Sequence, residues 1–167
     1  VIDQGRVFAA GQGGRMVAVE LITGQRAWEI NIAGISTPWV AGDWIFVVTD
    51  RAQLLAIARA PGQPRWISRL PASRRPPRQR EASRADIAAG RTGRVRAGQG
   101  PIFWRGPVLA GNRLILTNSE GDVAFVSPVD GTVLSTMETG RSTAFAPVVA
   151  NNTLYILDDD GRLTAWR

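Results

Sequence analysis

The sequence predicts an all-β chain: a β-propeller fragment of about four four-stranded antiparallel blades, of which the last is incomplete. Three observations predict this fold class: a repeat of roughly forty residues, short apolar runs between turn residues, and runs that are apolar at every position. The chain has 167 residues, of which 44% are apolar, and this suffices for one domain with its own core.

The repeat is marked by an alanine, a glycine and a tryptophan at fixed offsets. Segments 18–28 and 56–66 share this pattern 38 residues apart, and a third copy at 125–135 has Ser135 in place of the tryptophan. Glycine permits the positive φ of a tight turn. We expect each indole to lie flat between adjacent blades and to be structural. The glycines and tryptophans of the repeat are Gly24, Trp28, Gly62, Trp66 and Gly131.

A proline-led segment repeats upstream of these motifs. Pro107 and Pro147 are 40 residues apart, which is one period, whereas Pro38 and Pro107 are 69 residues apart. The longer spacing predicts an insertion between two blades. The chain is then a single partial propeller domain, 1–167, with blades at about 1–33, 35–71, 101–140 and 142–167 and an inserted loop at 72–100.

Short strands account for the rest of each unit. Aliphatic and β-branched runs such as 108–110, 113–117, 122–126 and 132–137 alternate with turns that contain Gly, Asn and Asp. The run 44–48 is apolar at every position, which is typical of a strand covered on both faces. Stacked blades cover a sheet in this way.

The inserted loop carries the charge of the chain. All twenty basic residues are arginine, and eight of them lie in 72–100 against two acidic residues. The composition favours a flexible insertion, while an element that binds acidic protein, anionic lipid or nucleic acid is the alternative. Nucleic acid is not expected, because 72–100 contains no aromatic residue. The candidate partner-binding residues are Arg74, Arg75, Arg78, Arg80 and Arg84.

The chain has no cysteine and no histidine. This excludes thiol catalysis, disulfides, the usual structural zinc sites and nucleophiles that depend on histidine. The run Asp158–Gly161 lacks the ligand alternation of a calcium loop and predicts a turn between two strands. We therefore expect no catalytic, cofactor-binding or metal-binding residues and no enzymatic activity.

The repeat resembles the tryptophan-docking motif of the quinoprotein (pyrroloquinoline-quinone, PQQ) dehydrogenases, Ala-x-Asp-x-x-Thr-Gly-x-x-x-Trp, with Glu20 in place of the Asp. The whole chain is similar to the C-terminal half of BamB-type outer-membrane assembly lipoproteins. Segments 106–110, 119–122, 129–134 and 163–167 carry most of this second resemblance.

The resemblance implies an eight-bladed propeller held by an N-terminal lipid at the periplasmic face of the outer membrane. It also implies a scaffold without a cofactor, which binds the periplasmic domains of the barrel insertase and helps deliver outer-membrane proteins. This chain lacks the lipidated cysteine and the first several blades of that family, so we expect membrane association only through an anchor absent from it.

Two other functions stay open. One is a PQQ-dependent dehydrogenase-like, cofactor-binding propeller, although the adjacent cysteine pair of those enzymes is missing. The other is a periplasmic propeller that binds another protein or a polysaccharide. Because four blades leave sheet faces and an edge uncovered, we also expect self-association, or association with the missing half, to complete the propeller.

Overall fold

The computed structural model describes residues 1–73 and 101–167. The regular secondary structure of this part of the chain is all β-strand. It has no helix that is long and apolar enough to cross a membrane. The strands are β1 (Ile2–Asp3), β2 (Arg6–Ala10), β3 (Met16–Glu20), β4 (Arg26–Ile30), β5 (Trp39–Ala41), β6 (Trp44–Val48), β7 (Gln53–Ala58), β8 (Pro64–Arg69), β9 (Trp104–Ala110), β10 (Arg113–Asn118), β11 (Asp122–Val126), β12 (Val133–Glu138), β13 (Val148–Ala150), β14 (Thr153–Leu157) and β15 (Leu163–Trp166).

These strands form four antiparallel sheets in which each strand pairs with the next one along the chain. Sheet 1 contains β1–β4, sheet 2 contains β5–β8, sheet 3 contains β9–β12, and sheet 4 contains β13–β15. A series of antiparallel meanders, here three of four strands and one of three, each packed on the next, is a propeller architecture. The predicted all-β class and the propeller fragment are therefore confirmed.

Sheet 2 is apolar on both faces because it is packed between two neighbours. Successive side chains of a strand point to opposite faces. In β6, Ile45 and Val47 pack on sheet 1, whereas Phe46 and Val48 pack on sheet 3. A smaller cluster joins sheets 3 and 4 through Ile115, Val123, Leu154 and Ile156. The chain thus has a separate core at each junction between consecutive sheets.

Strand β9 begins earlier than the sequence predicts. The sequence places a strand at 108–110, but β9 starts at Trp104 and includes Pro107. Two features of the sheet accommodate this proline, which has no N–H to donate: β9 is an edge strand, and its register with β10 shifts between Ile115 and Thr117. Of the aromatic pair that precedes Arg105, Trp104 is 4% exposed and Phe103 is 44% exposed, so only Trp104 enters the core.

The two ends of the inserted loop lie side by side. Ser73 and Pro101 form an isolated antiparallel bridge, and the Ile102 amide donates to the Ala72 carbonyl at 3.0 Å. The Trp104 Nε1–H donates to the Pro71 carbonyl at 2.8 Å. Residues 74–100, with the candidate arginines Arg74, Arg75, Arg78, Arg80 and Arg84, lie outside the described residues.

Candidate functional site

A groove of about 570 Å³ runs along the innermost strands of the four sheets. It is larger than three other cavities of the molecule, which measure about 430, 340 and 210 Å³, and concave apolar surfaces of this size commonly bind ligands or partners. Each sheet contributes the start of its first strand or the segment that leads into it. The lining consists of residues 1–3, 35–40, 105–108 and 144–146.

Large apolar side chains face solvent in this groove. Phe145 is 56% exposed, and Ile2, Ile35 and Trp39 are also exposed. Isolated exposed apolar residues need no explanation, but several that line one cavity form a patch of the kind that binds protein. Two of the repeat prolines, Pro38 and Pro107, also line the groove.

The backbone under the exposed Phe145 is fixed. Its carbonyl accepts hydrogen bonds from the hydroxyls of Thr117 at 2.8 Å and Thr143 at 3.1 Å. The Arg105 Nε–H donates to the neighbouring Ala144 carbonyl at 3.0 Å. Sheet 3 therefore holds the segment that leads into sheet 4, and Phe145 is presented from a rigid support.

The repeat tryptophans connect consecutive sheets. The Trp28 indole of sheet 1 donates from Nε1 to the Arg59 carbonyl of sheet 2 at 2.8 Å. In the same way Trp66 of sheet 2 donates to the Pro128 carbonyl of sheet 3 at 3.2 Å. Ser135 stands at the corresponding position of sheet 3, where the chain has no indole.

The repeat glycines lie under these rings. A Cβ on Gly62 would be 2.5 Å from the Trp28 ring, and one on Gly131 would be 2.6 Å from the Trp66 ring. Both glycines also have positive φ, 70° and 76°. Any larger residue would clash with the indole and strain the turn.

The turn around Gly131 is further ordered by Asp130. Its carboxylate accepts a hydrogen bond from the Thr132 amide at 3.0 Å. Hydrogen bonds from the Ser127 side chain and from Thr132 hold the pKa of Asp130 below its usual value, because they favour the charged form.

A second set of polar residues closes the turn between the second and third strands of sheets 2, 3 and 4. Thr49 Oγ1, Asn118 Oδ1 and Asp158 Oδ1 each accept two backbone amides of their own turn. Asp158, Asp159 and Asp160 thus belong to a strand-to-strand turn, and Arg141 lies 3.7 Å from Asp158 Oδ2 and 3.5 Å from Asp160. Within residues 1–73 and 101–167, no three carboxylates are grouped so as to hold a metal ion.

The sequence predicts the repeat positions but does not predict the groove. Phe145, Ile35 and Arg105 belong to no repeat motif, and they line one groove only because the first strands of different sheets come together. Their one signal in the sequence is that each lies just before or within a proline-led segment.

The comparisons with known proteins agree with this architecture. The family model described as outer membrane protein assembly factor BamB matches residues 1–68. A protein of the same name from Burkholderia pseudomallei is 28% identical over 196 residues, which cover 96% of this chain and 49% of that protein. This chain is similar to BamB. It spans about half the length of that relative.

Solved structures show the same fold. BamB from Moraxella catarrhalis superposes with a TM-score of 0.74 at 16% identity, over 100% of this chain and 42% of that one. A quinohemoprotein alcohol dehydrogenase from Pseudomonas putida superposes with a TM-score of 0.63 at 15% identity, over 99% of this chain and 32% of that one. The resemblance to BamB-type propellers with PQQ-like repeats, predicted from the sequence, is confirmed.

Proposed function

We propose that the chain is a non-enzymatic scaffold of the outer-membrane β-barrel assembly machinery. It binds the periplasmic domains of the insertase at the periplasmic face of the outer membrane and helps deliver outer-membrane proteins. Its similarity to proteins that are named outer membrane protein assembly factors supports this role. The groove along the inner strands is the surface that we assign to the partner.

The observation that carries this assignment is the exposed Phe145 on its fixed backbone. A fixed backbone under a large aromatic side chain reduces the conformational freedom that is lost on binding, which favours affinity. Ile35 and Trp39 continue the apolar surface within the same groove. Loops on a rigid sheet frame are the usual location of binding function.

The test is a binding titration against the purified periplasmic domains of the insertase. Phe145→Glu places a charge where an apolar contact is proposed, and we expect binding at least about tenfold weaker. Val129→Glu is the control, because Val129 is also an exposed apolar residue but lies outside the groove. Equal binding by the two variants would contradict the role of the groove.

A PQQ-dependent activity is the enzymatic alternative. Titration of the chain with PQQ and calcium, followed by absorbance, distinguishes it from the scaffold. A saturable spectral change at micromolar quinone would contradict the scaffold function and favour the cofactor-binding alternative. Absence of that change together with insertase binding would support it.

A further inference from the structure

A smaller cavity, of about 210 Å³, lies between sheets 3 and 4. It shares no lining residue with the groove along the inner strands. Its volume exceeds that of several water molecules, so it has room for a small organic ligand. The polar and aromatic residues of the lining are Thr139 and Arg141, which follow β12, and Asp158, Arg162, Thr164 and Trp166 of sheet 4.

The third strand of sheet 4 has a hydroxyl and an indole where the third strands of sheets 2 and 3 have buried aliphatic residues. Thr164 and Trp166 follow the turn-closing Asp158 by six and eight residues. The same offsets from Thr49 and Asn118 lead to residues of the cores between sheets 1 and 2 and between sheets 2 and 3. These residues are Leu55, Ile57, Ala124 and Val126, all buried. The composition of this cavity therefore differs from the apolar packing of the other two junctions.

The carboxylate of Asp158 has one oxygen with hydrogen-bond donors and one without. Its side chain is 5% exposed, and Oδ1 accepts the amides of Asp160 at 3.1 Å and Arg162 at 2.8 Å. Oδ2 is buried and accepts no hydrogen bond from any residue that the structure describes. Arg141 Nη1 lies 3.7 Å from it, too far for a hydrogen bond, and the Arg141 side chain is 41% exposed and can move aside. A buried acceptor without a donor costs free energy, so a ligand that donates to Oδ2 recovers that cost.

The polar groups of the cavity are of both hydrogen-bonding kinds. Asp158 Oδ2 accepts, the guanidinium groups of Arg141 and Arg162 donate, and the threonine hydroxyls do both. The two arginines repel a cationic ligand, and the buried carboxylate repels an anionic one. A neutral ligand that carries hydroxyl groups meets donors and acceptors alike without either penalty.

Trp166 adds an apolar surface beside these polar groups. It is 40% exposed and lines the cavity, and an indole offers a large flat area for packing. A sugar ring combines an apolar face of C–H groups with hydroxyls at its edge. We propose that the cavity between sheets 3 and 4 binds a neutral hexose, which donates a hydroxyl to Asp158 Oδ2 and packs its ring on Trp166. This site does not depend on the proposed function.

The test titrates the ¹⁵N-labelled chain with D-glucose, D-galactose and D-mannose and follows the amide chemical shifts. Each sugar is raised to about 50 mM, which saturates a site of millimolar affinity. We expect saturable shifts at residues 139–141 and 158–162 with at least one of the three hexoses. The methyl glycosides of that hexose distinguish its source, since equal binding supports a sugar unit of a glycan and weaker binding supports a free hexose.

The substitution Asp158→Asn tests the buried acceptor. Asn118 closes the equivalent turn of sheet 3 with its Oδ1, so asparagine retains the turn and replaces the accepting Oδ2 by an amide that donates. We expect hexose binding at least about tenfold weaker. Asp160→Asn is the matched control, because it removes the same charge two residues away, from a side chain that is 83% exposed and outside the lining. It should bind the hexose within about twofold of the unsubstituted chain.

A second variant, Trp166→Ala, covers the case in which Asp158→Asn does not fold. We expect it to bind the hexose at least about tenfold more weakly. Leu163→Ala is its control, because Leu163 is an exposed apolar residue of the same strand outside the lining, and it should bind within about twofold. The proposal is overturned by an absence of saturable shifts with all three hexoses, by shifts that saturate with inorganic phosphate alone, or by equal binding within either pair of variants.

Discussion

At the scale of single residues, the tryptophan and the glycine of the repeat act as one unit across two sheets. Trp28 belongs to sheet 1, but its hydrogen bond and ring contact are to Arg59 and Gly62 of sheet 2. The glycine is required for two reasons, its positive φ and the space for the ring. A substitution at either residue therefore disturbs the junction between sheets.

Replacing Trp28 by phenylalanine tests the hydrogen bond at this junction. The substitution keeps an aromatic ring but leaves the partly buried Arg59 carbonyl without its donor. We expect the free energy of unfolding to fall by about 1–3 kcal/mol in urea denaturation. Trp166→Phe is the control, since Trp166 is exposed, and it should change stability by less than about 0.5 kcal/mol. Equal effects would show that the indole hydrogen bond does not stabilise the junction.

The sequence revealed the repeat residues because each is the same amino acid at a fixed spacing. It did not reveal the turn-closing residues, because Thr49, Asn118 and Asp158 are three different residue types with the same role. Any short side chain with an oxygen that can accept hydrogen bonds from nearby backbone amides can close such a turn. Residue identity therefore varies where the chemistry allows it.

At the scale of elements, the strand pattern was predictable because alternation and turn residues are local signals. The start of β9 was not predictable, because a proline such as Pro107 argues against a strand at its position. Such a proline is compatible with a strand only at the edge of a sheet or at a bulge, and the sequence does not show either feature. The groove was not predictable either. Its lining comes from residues 1–3, 35–40, 105–108 and 144–146, which only the sheet stacking brings together.

The pairing of the two residues that flank the insertion predicts that the inserted segment can be replaced by a short turn. Ser73 and Pro101 are bridged antiparallel, and such a pair can be joined by two residues. We expect a variant with Asn-Gly in place of residues 74–100 to have a free energy of unfolding, measured in urea, within about 1 kcal/mol of that of the original chain. A loss of the cooperative transition would contradict this expectation.

The same variant tests the arginine candidates by function. It removes Arg74, Arg75, Arg78, Arg80 and Arg84 together with the three other arginines of the loop. Binding to the insertase domains is measured in the titration used for Phe145→Glu. If the variant binds as tightly as the original chain at physiological salt, the arginines of the loop do not contribute to the interface. If the variant binds more weakly at physiological salt but the two chains bind equally at high salt, these arginines contribute through charge.

At the scale of the whole molecule, the sheets are stabilised unequally. Among the described residues, sheets 2 and 3 are packed on both faces, whereas sheets 1 and 4 are packed on one face. Within residues 1–73 and 101–167, sheet 4 has three strands and the smallest cluster, and no indole clamps it to sheet 3 because Ser135 occupies that position. Burial and clamping therefore decrease from the centre of the stack toward sheet 4.

Hydrogen exchange measures this gradient directly. Amides exchange through local opening, whose cost rises with buried apolar contact, so we expect β6, β7, β10 and β11 to exchange at least about tenfold more slowly than β13–β15. Leu154→Ala removes a side chain from the cluster between sheets 3 and 4. It should accelerate exchange in sheet 4 and leave β6 and β7 unchanged. Uniform protection, or acceleration throughout the chain, would mean that the four sheets open as one cooperative unit and that the clamps do not divide it.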